Sequence, residues 1–379
     1  MAELKLGIAG LGTAANLVLP YVGQVENVRL TAGADIRPKA RAGFTAAYSL
    51  PAFDSVAELS RSDMVDAVWI ETPNHLHCEH AVTAAEGGKH VIVAKPMAAS
   101  VAECDRMMEA ARANGVRILI GHSKIFDPPI RAMGEIARSG RLGKVIQIDS
   151  WLYNDWLRRP RLPEELDKKK GAGFVLRQAP HLIDIAHYIV NAAPVALSAV
   201  TGRWDPHVSS EGNAHVQIRY ASGAFASLSL NGYGYFDTSE LTWDIGTFGA
   251  TKPGAGSARP RPRSNVALTD GQKFSGLATP AQAATPTSTD AMPFFGLHIV
   301  SFERGVVRQS PQGLFIYTEE GREEVTLPLY LGRAAELIEL RDAIAEDRDV
   351  FPNGEWGREN LKTCLAILTS ASEAREIAL

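Results

Sequence analysis

The sequence predicts an α/β protein. A doubly wound parallel sheet comes first, and an α+β domain with a mostly antiparallel open sheet follows. Three observations carry that reading. Apolar strands and helices alternate from Met1 to about His122, the pattern of a parallel sheet covered by helices. The first strand runs straight into Gly10-Leu11-Gly12-Thr13-Ala14-Ala15, a Gly-x-Gly-x-x-Ala turn. Beyond Val195 the alternation gives way to several strands with tight turns between them.

Leu4 to Ala9 has the length of one buried parallel strand. Ala14 to Val22 has helical composition, Val28 to Ala34 is a second strand, and Arg37 to Tyr48 is a helix. Val65 to Glu71 is the next long strand, broken by Thr72-Pro73-Asn74. His75 to Glu86 is helical, and Gly87-Gly88 stops it. His90 to Ala94 is a strand broken by Lys95-Pro96. Ser100 caps a helix that runs to Ala113, and Val116 to Ile120 is a further strand. Ligands of such sheets sit at the carboxyl ends of the strands, which is where Asp35, Thr72, Pro73, Asn74 and Lys95 fall.

In the second half, Pro128 to Arg138 reads as a helix and Lys144 to Tyr153 as a strand. Trp156 to Gly173 is irregular and basic, and Gln178 to Val190 returns to helix. Strands are expected at Val195 to Trp204, Ala214 to Tyr220, Ala224 to Asn231 and Leu241 to Phe248, with a hairpin turn at Ala221-Ser222-Gly223. Thr251 to Gly296 is rich in Pro, Gly, Ala, Ser and Thr. It reads as a surface loop, with a lid or an intersubunit arm as the alternative. Leu297 to Val307, Leu314 to Tyr317 and Glu324 to Leu329 are the last expected strands. Helices are expected at Gly332 to Ala345 and at Trp356 to Ile377, the second with Leu361, Cys364, Leu365 and Leu368 at helical spacing. The expected division is a dinucleotide-binding domain over 1–122 and a substrate and oligomerisation domain over 123–379. The second contains the 251–296 loop or arm and the 356–377 helix.

Composition excludes several classes. A formal net charge of -4 leaves no basic excess for nucleic acid or an anionic membrane surface. Cys78, Cys104 and Cys364 are three and far apart, so neither a disulfide framework nor a cysteine zinc site is indicated, and a reduced, cytoplasmic setting is expected. No apolar run reaches the roughly 18–20 residues of a membrane span. The N-terminus enters a strand at once, which leaves no room for a signal peptide. His75, His77 and His80 lack a carboxylate or cysteine at ligand spacing, so no metal is expected.

The glycine turn has a physical reading. Gly10 permits the tight turn, Gly12 lets a pyrophosphate approach the backbone, and Ala15 is small enough for close helix packing. Thr13 and Ala14 lie at the following helix N-terminus, whose amides and dipole favour phosphate. Asp35 ends the second strand about 20 residues on, where a carboxylate binds ribose hydroxyls. That acid favours NAD over NADP. Arg37 and Lys39 could meet a 2′-phosphate, so NADP stays open.

Thr72-Pro73-Asn74-His75-Leu76-His77, Gly88-Lys89-His90-Val91 and Lys95-Pro96-Met97 together resemble the Gfo/Idh/MocA family of oxidoreductases. Gly171-Ala172-Gly173 and His181-Leu182-Ile183-Asp184 are similar to that family's glycine-rich turn and Gly-x-His-x-x-Asp segment. The resemblance covers nearly the whole chain. It implies a Rossmann domain, an open-sheet domain that assembles homodimers or homotetramers, and a nicotinamide cofactor. Two positions depart from it. Ala94 stands where the family usually has Glu before the lysine, and Arg177 stands where its sugar dehydrogenases carry Asp. Trp151 to Asp155, Arg159-Pro160-Arg161, Pro163 to Leu166, Arg177 to His181 and Tyr233 to Thr238 resemble a narrower branch, the phthalate cis-4,5-dihydrodiol dehydrogenases.

Hydride transfer from a secondary alcohol needs a base for the hydroxyl proton and a cation near the developing alkoxide, while the cofactor carries the hydride. Lys95, just past a strand, suits the second task, and burial would bring its pKa into proton-shuttle range. His181 is the expected general base. Arg177 offers a planar fork for a substrate carboxylate, with a salt bridge to an acid such as Asp184 as the alternative. Gln178 and Arg159 are further candidates for substrate contact. Pro96 and His77 are placed along the cofactor cleft. The expected activity is oxidation of an anionic cyclic alcohol such as a cis-dihydrodiol carboxylate. A sugar or cyclitol dehydrogenase and a non-catalytic NAD(P)-binding regulator are the alternatives.

Overall fold

The computed structural model describes residues 3–159, 163–167, 171–251, 291–328 and 331–379. The first sheet has β1 (Leu4–Ala9), β2 (Val28–Ala34), β3 (Ala52–Phe53), β4 (Ala67–Ile70), β5 (His90–Ala94) and β6 (Ile118–Gly121), in the order β3-β2-β1-β4-β5-β6. Every pairing is parallel. These strands are continuous apolar runs because helices cover both faces. Leu6, Ile8, Val68, Trp69, Ile92 and Leu119 have no exposed surface. The strand order reverses between β1 and β4, and a crevice opens there at the carboxyl ends.

The first crossover departs from expectation. Ala14 to Val22 is not one helix but a 3₁₀ turn, Ala15–Leu17, followed by the short α1 (Leu19–Val22). Pro20 lacks an N–H and its ring would clash with the preceding turn, so no helix runs through it from Ala14. The other crossovers are α2 (Pro38–Tyr48), α3 (Val56–Arg61), α4 (His77–Glu86) and α5 (Val101–Ala113). Ser100 and Glu103 close a capping box at the start of α5. The short β3 and α3 escaped the sequence reading, since neither is long enough to show a period.

The second sheet has β7 (Val145–Tyr153), β8 (Pro194–Gly202), β9 (Asn213–Tyr220), β10 (Phe225–Asn231), β11 (Leu297–Phe302), β12 (Gly305–Ser310), β13 (Gly313–Thr318), β14 (Gly321–Thr326) and β15 (Ile377–Ala378). Its order is β14-β13-β12-β11-β7-β10-β9-β8-β15. β7 and β10 pair in parallel, and the other pairings described are antiparallel. Its inner face packs Ile148, Val216, Ile218 and Leu228 against Phe174, Leu182, Ile185 and Ile189 of α7 (Phe174–Val190). The helices α6 (Pro128–Ser139), α8 (Ala334–Ala345) and α9 (Gly354–Glu373) complete the chain. Leu337, Leu340 and Ala343 of α8 join the core under the first sheet, beside Leu6 and Trp69.

Four further expectations are corrected. Leu241 to Phe248 is not a strand: a 3₁₀ turn, Thr238–Leu241, precedes Trp243 and Asp244 at φ 54° and 56°, left-handed values that break a ladder. Leu297 to Val307 is a hairpin, β11 and β12, turning at Glu303-Arg304. α7 starts at Phe174 rather than Gln178, with Gly173 at φ 99° leading into it. The last helix stops at Glu373, and Ile377–Ala378 pairs with β8 instead. Residues 252–290 of the expected loop lie outside the described residues.

Candidate active site

Gly10 has φ +94°, and a Cβ there would lie 2.7 Å from the Glu71 carbonyl carbon and oxygen. The glycine therefore serves both the turn and the close approach of β1 to the end of β4. Asp35 secures the turn from the side, its Oδ2 accepting 2.9 Å from the Leu11 N–H. Arg37 folds onto the same carboxylate, donating from Nε to Oδ1 at 2.9 Å and from Nη2 to Oδ2 at 2.7 Å. Burial raises the pKa of Asp35, but hydrogen bonds from Arg37 and Leu11 outweigh it and hold the carboxyl below its usual range. Asp35 is thus ionised and its charge is met by Arg37. The glycine turn at the end of β1 and the ionised acid beside it fit a dinucleotide. Gly10, Gly12, Thr13 and Ala14 would face the pyrophosphate, and Asp35 the ribose.

The crevice leads into a cavity of about 550 Å³ at the junction of the two sheets, reached by Lys95, Lys124, Arg159, Arg177, Gln178 and His181. Tyr153, Trp156, Phe248, Phe294 and Phe295 give it aromatic walls. Lys95 follows β5, and its Nζ donates 2.6 Å to the carbonyl of Arg177 on α7. Burial first, and then the charge of Arg177, pull the Lys95 pKa down to about 7. Arg177, Gln178 and His181 share the first two turns of α7. Gln178 Oε1 accepts 3.1 Å from Asn154 Nδ2. The His181 ring lies 4.4 Å from that of Phe295, and its Nδ1 is buried with no hydrogen-bond partner among the described residues. Burial, then the charges of Lys95 and Lys124, push the His181 pKa well below the usual histidine value.

Asn74 joins the domains. Its Nδ2 donates 2.9 Å to the carbonyl of Gly171, and its Oδ1 accepts 3.1 Å from Arg177 Nη1. Gly171, at φ +65°, could carry no side chain without meeting Ala99 at 3.1 Å. A carboxylate, Glu165, lies 3.8 Å from Arg177 Nη2, so the expected alternative partner Asp184 is not the one found. Asp184 instead accepts 2.5 Å from Trp356 Nε1 and lies 3.7 Å from His122 Nδ1. Burial raises the Asp184 pKa well above the usual carboxylate range and lowers that of His122 to about 3.

Thr72 hydrogen-bonds His80 through its hydroxyl, Pro73 is exposed at the crevice edge and Pro96 is buried. His77 is corrected. It has no exposed surface, its ring nitrogens lie 2.9 Å from the carbonyls of Pro96 and Thr72, and it braces those two loops from behind instead of lining the cleft. Arg159 is more than half exposed at the rim and pairs with Asp155 at 2.7 Å; Arg161 lies outside the described residues.

Three cavity residues were missed. Lys124 follows β6, so the strand-end rule that located Lys95 would have found it. Glu71 also stands at a strand end, just past β4, and faces the same cavity. Arg333 carries no local signal; it arrives just ahead of α8 and binds Glu71 at 3.3 Å and Glu336 at 2.6 Å. Glu71 and the partly exposed Arg333 bring a carboxylate and a guanidinium to the wall where Ala94 offers only a methyl group.

Comparison with known proteins agrees with this architecture. The family model for an oxidoreductase family with an NAD-binding Rossmann fold matches residues 4–122, and that for the GFO/IDH/MocA C-terminal domain matches 130–247. The chain is 31% identical to the 1-carboxy-3-chloro-3,4-dihydroxycyclohexa-1,5-diene dehydrogenase of Comamonas testosteroni, over 96% of this chain and 94% of that one. It is 33% identical to a protein of Bordetella bronchiseptica RB50 assigned as a dehydrogenase, whose crystal structure superposes with a TM-score of 0.87 over 100% of both chains. The levoglucosan dehydrogenase complex with NADH and levoglucosan shares the fold, with a TM-score of 0.77 over 99% of both chains at 18% identity. The chain belongs to the Gfo/Idh/MocA family of oxidoreductases, and its N-terminal domain is an NAD-binding Rossmann domain. No helix among the described residues is long and apolar enough to cross a membrane.

Proposed function

We propose that the chain oxidises a cis-dihydrodiol carried on a carboxylated ring, with NAD as hydride acceptor. The observation that carries this reading is the grouping of Lys95 and His181 in one aromatic-walled cavity with the further cations Lys124, Arg159 and Arg177. Flat walls suit a planar ring, and cations suit its carboxylate. The relative from Comamonas testosteroni, named for a carboxylated dihydroxycyclohexadiene, supports the same substrate class.

Bound nicotinamide supplies the hydride acceptor; the side chains handle the proton and the charge. Lys95, with a pKa brought to about 7, takes the hydroxyl proton as the neutral amine. His181, which burial holds well below the usual histidine range, is the weaker base and orients the hydroxyl through a ring nitrogen. The carbinol C–H pair leaves as hydride and the O–H proton passes to Lys95. The resulting ketone then shifts a ring proton to oxygen and becomes an aromatic diol, which makes the oxidation favourable.

The test is reduced-nicotinamide absorbance with NAD and with NADP, against cis-dihydrodiols with and without ring carboxylates, hydroxy acids and sugars. Turnover of a carboxylated dihydrodiol with NAD is the expected result. Turnover of neutral sugars alone would remove the substrate assignment and leave the oxidoreductase standing.

A further inference from the structure

Of the cations in the cavity, the one best placed to hold the substrate's carboxylate is not the arginine that the sequence singles out. Arg177 works as a clamp between domains. Its Nη1 is held by Asn74 at 3.1 Å, and its carbonyl by Lys95 at 2.6 Å. Drawing its side chain toward a ligand would loosen the Asn74 contact that also secures Gly171. Arg159 stands at the exposed rim, paired at 2.7 Å with Asp155. Arg333 is spent between two buried carboxylates.

Lys124 is different in position and in setting. It enters the cavity from the 3₁₀ turn Ser123–Phe126, directly after β6. Its side chain is only 5% exposed. The ammonium lies 3.2 and 3.5 Å from the two oxygens of buried Asp127 and 3.4 Å from the carbonyl of Thr247, longer contacts than the 2.6 Å bond of Lys95. It stands 5.6 Å from the ring centre of Phe248 and 5.9 Å from that of Phe295. Phe295 is also the ring against which His181 packs. A cation is therefore held between two aromatic faces, one ring away from the proposed reaction centre. A buried Lys–Asp pair is costly to desolvate and is weak evidence of a stability role, so its place in a cavity wall points to a ligand.

We infer that Lys124 is the specificity-determining residue that binds the ring carboxylate of the substrate, with the ring lying along Phe248 and Phe295. This inference rests on the substrate class proposed above. In it, Asp127 aims the Lys124 ammonium, which re-aims by a short swing to meet an incoming carboxylate. Neutral ring alcohols gain nothing from this contact.

The test is calorimetric titration of the full chain, saturated with NAD, with benzoate, phthalate and the neutral benzamide. Wild type, Lys124→Met, Lys124→Arg and Arg177→Met are compared. The expected result is that Lys124→Met weakens benzoate binding at least tenfold, leaves benzamide and NAD binding within twofold, and is rescued in part by Lys124→Arg. Equal weakening of benzoate and benzamide would reduce Lys124 to a structural role and overturn the inference. So would unaltered benzoate binding, absence of benzoate binding to the wild type, or loss of discrimination in Arg177→Met alone. Lys124→Gln, which keeps a polar tip against Asp127, repeats the measurement if the methionine variant melts early. The binding assay also separates this inference from the proposed reaction. Carboxylate binding that depends on Lys124 without dihydrodiol turnover would sink the reaction and keep the site. Turnover with a KM that ignores Lys124→Met would do the reverse.

Discussion

Lys95 Nζ donates a 2.6 Å hydrogen bond to the main-chain carbonyl of Arg177, so the end of β5 in one domain is tied to the first turn of α7 in the other. The bond occupies a carbonyl and leaves the Arg177 guanidinium to Asn74. The candidate base and the floor of the substrate cavity are therefore positioned by the same contact.

Lys95 is expected to set the pH dependence of alcohol oxidation. Its pKa is lowered to about 7, and only the neutral amine accepts the hydroxyl proton. kcat/KM should rise about tenfold per pH unit below that value and level off above it. His181, held well below the usual histidine range, should add no second limb near neutrality. Lys95→Met should remove the limb and lower kcat by about 10²–10⁴-fold, with NAD affinity retained. Steady-state rates from pH 5 to 9 decide this, and a flat wild-type profile would transfer the proton to another group.

The pair of Asp35 and Arg37 should govern the choice of cofactor. With both present, the charge that would repel a 2′-phosphate is met by a guanidinium at 2.7 Å. Asp35→Ser releases Arg37 and removes the acceptor of the Leu11 N–H. NAD binding should weaken, and the ratio of NADP to NAD affinity should rise about tenfold, equivalent to about 1.4 kcal/mol. Fluorescence titration with both dinucleotides measures it; an unchanged ratio would show that Asp35 only braces the turn.

Asp184→Asn should be nearly silent, costing less than about 1 kcal/mol, because burial favours the uncharged carboxyl and the amide keeps an acceptor for Trp356 Nε1. The sign follows from linkage. The folded pKa lies above the unfolded value of 3.8, so the native state holds the extra proton between them and this group's contribution falls as pH rises through that window. The asparagine variant should lose that slope when Tm is followed against pH. A large loss of stability at neutral pH would instead mean an ionised Asp184 paired with His122.

Gly10→Ala should damage both folding and cofactor binding. The residue sits at φ +94°, and the new Cβ would fall 2.7 Å from backbone atoms of Glu71, which cannot move like a side-chain tip. A lowered Tm and at least a tenfold weaker NAD affinity are expected. Gly43→Ala is the control: it lies inside α2 with nothing within 4 Å of its Cβ position, and should be neutral or stabilising by up to about 1 kcal/mol.

Much of the first domain was legible in the chain. The continuous apolar runs of β1, β2, β4 and β5 name themselves, and the rule that ligands meet strand ends led from them to Asp35, Asn74 and Lys95. The segment after Gly12 has helical composition, but Pro20 divides it into a 3₁₀ turn and a short helix. His77 was misplaced for another reason: strand-end position says that a residue is near the crevice, not which side of the loop its ring takes.

The class of the sheet, the glycine turn and the acid beside it, and hence the dinucleotide, are written along the chain. Each of these is a local matter of a few successive residues whose backbone conformations and periodicities can be read in order. Which charges meet in the cavity depends on how distant segments pack together. Glu71, Lys95, Lys124, Arg177 and Arg333 come from five separate segments, and the neighbours of each set its work: Arg177 becomes a clamp through Asn74, while Lys124 stays in the cavity wall beside Asp127. Burial and Coulomb interaction depend on distances across the fold, which spacing along the chain does not carry.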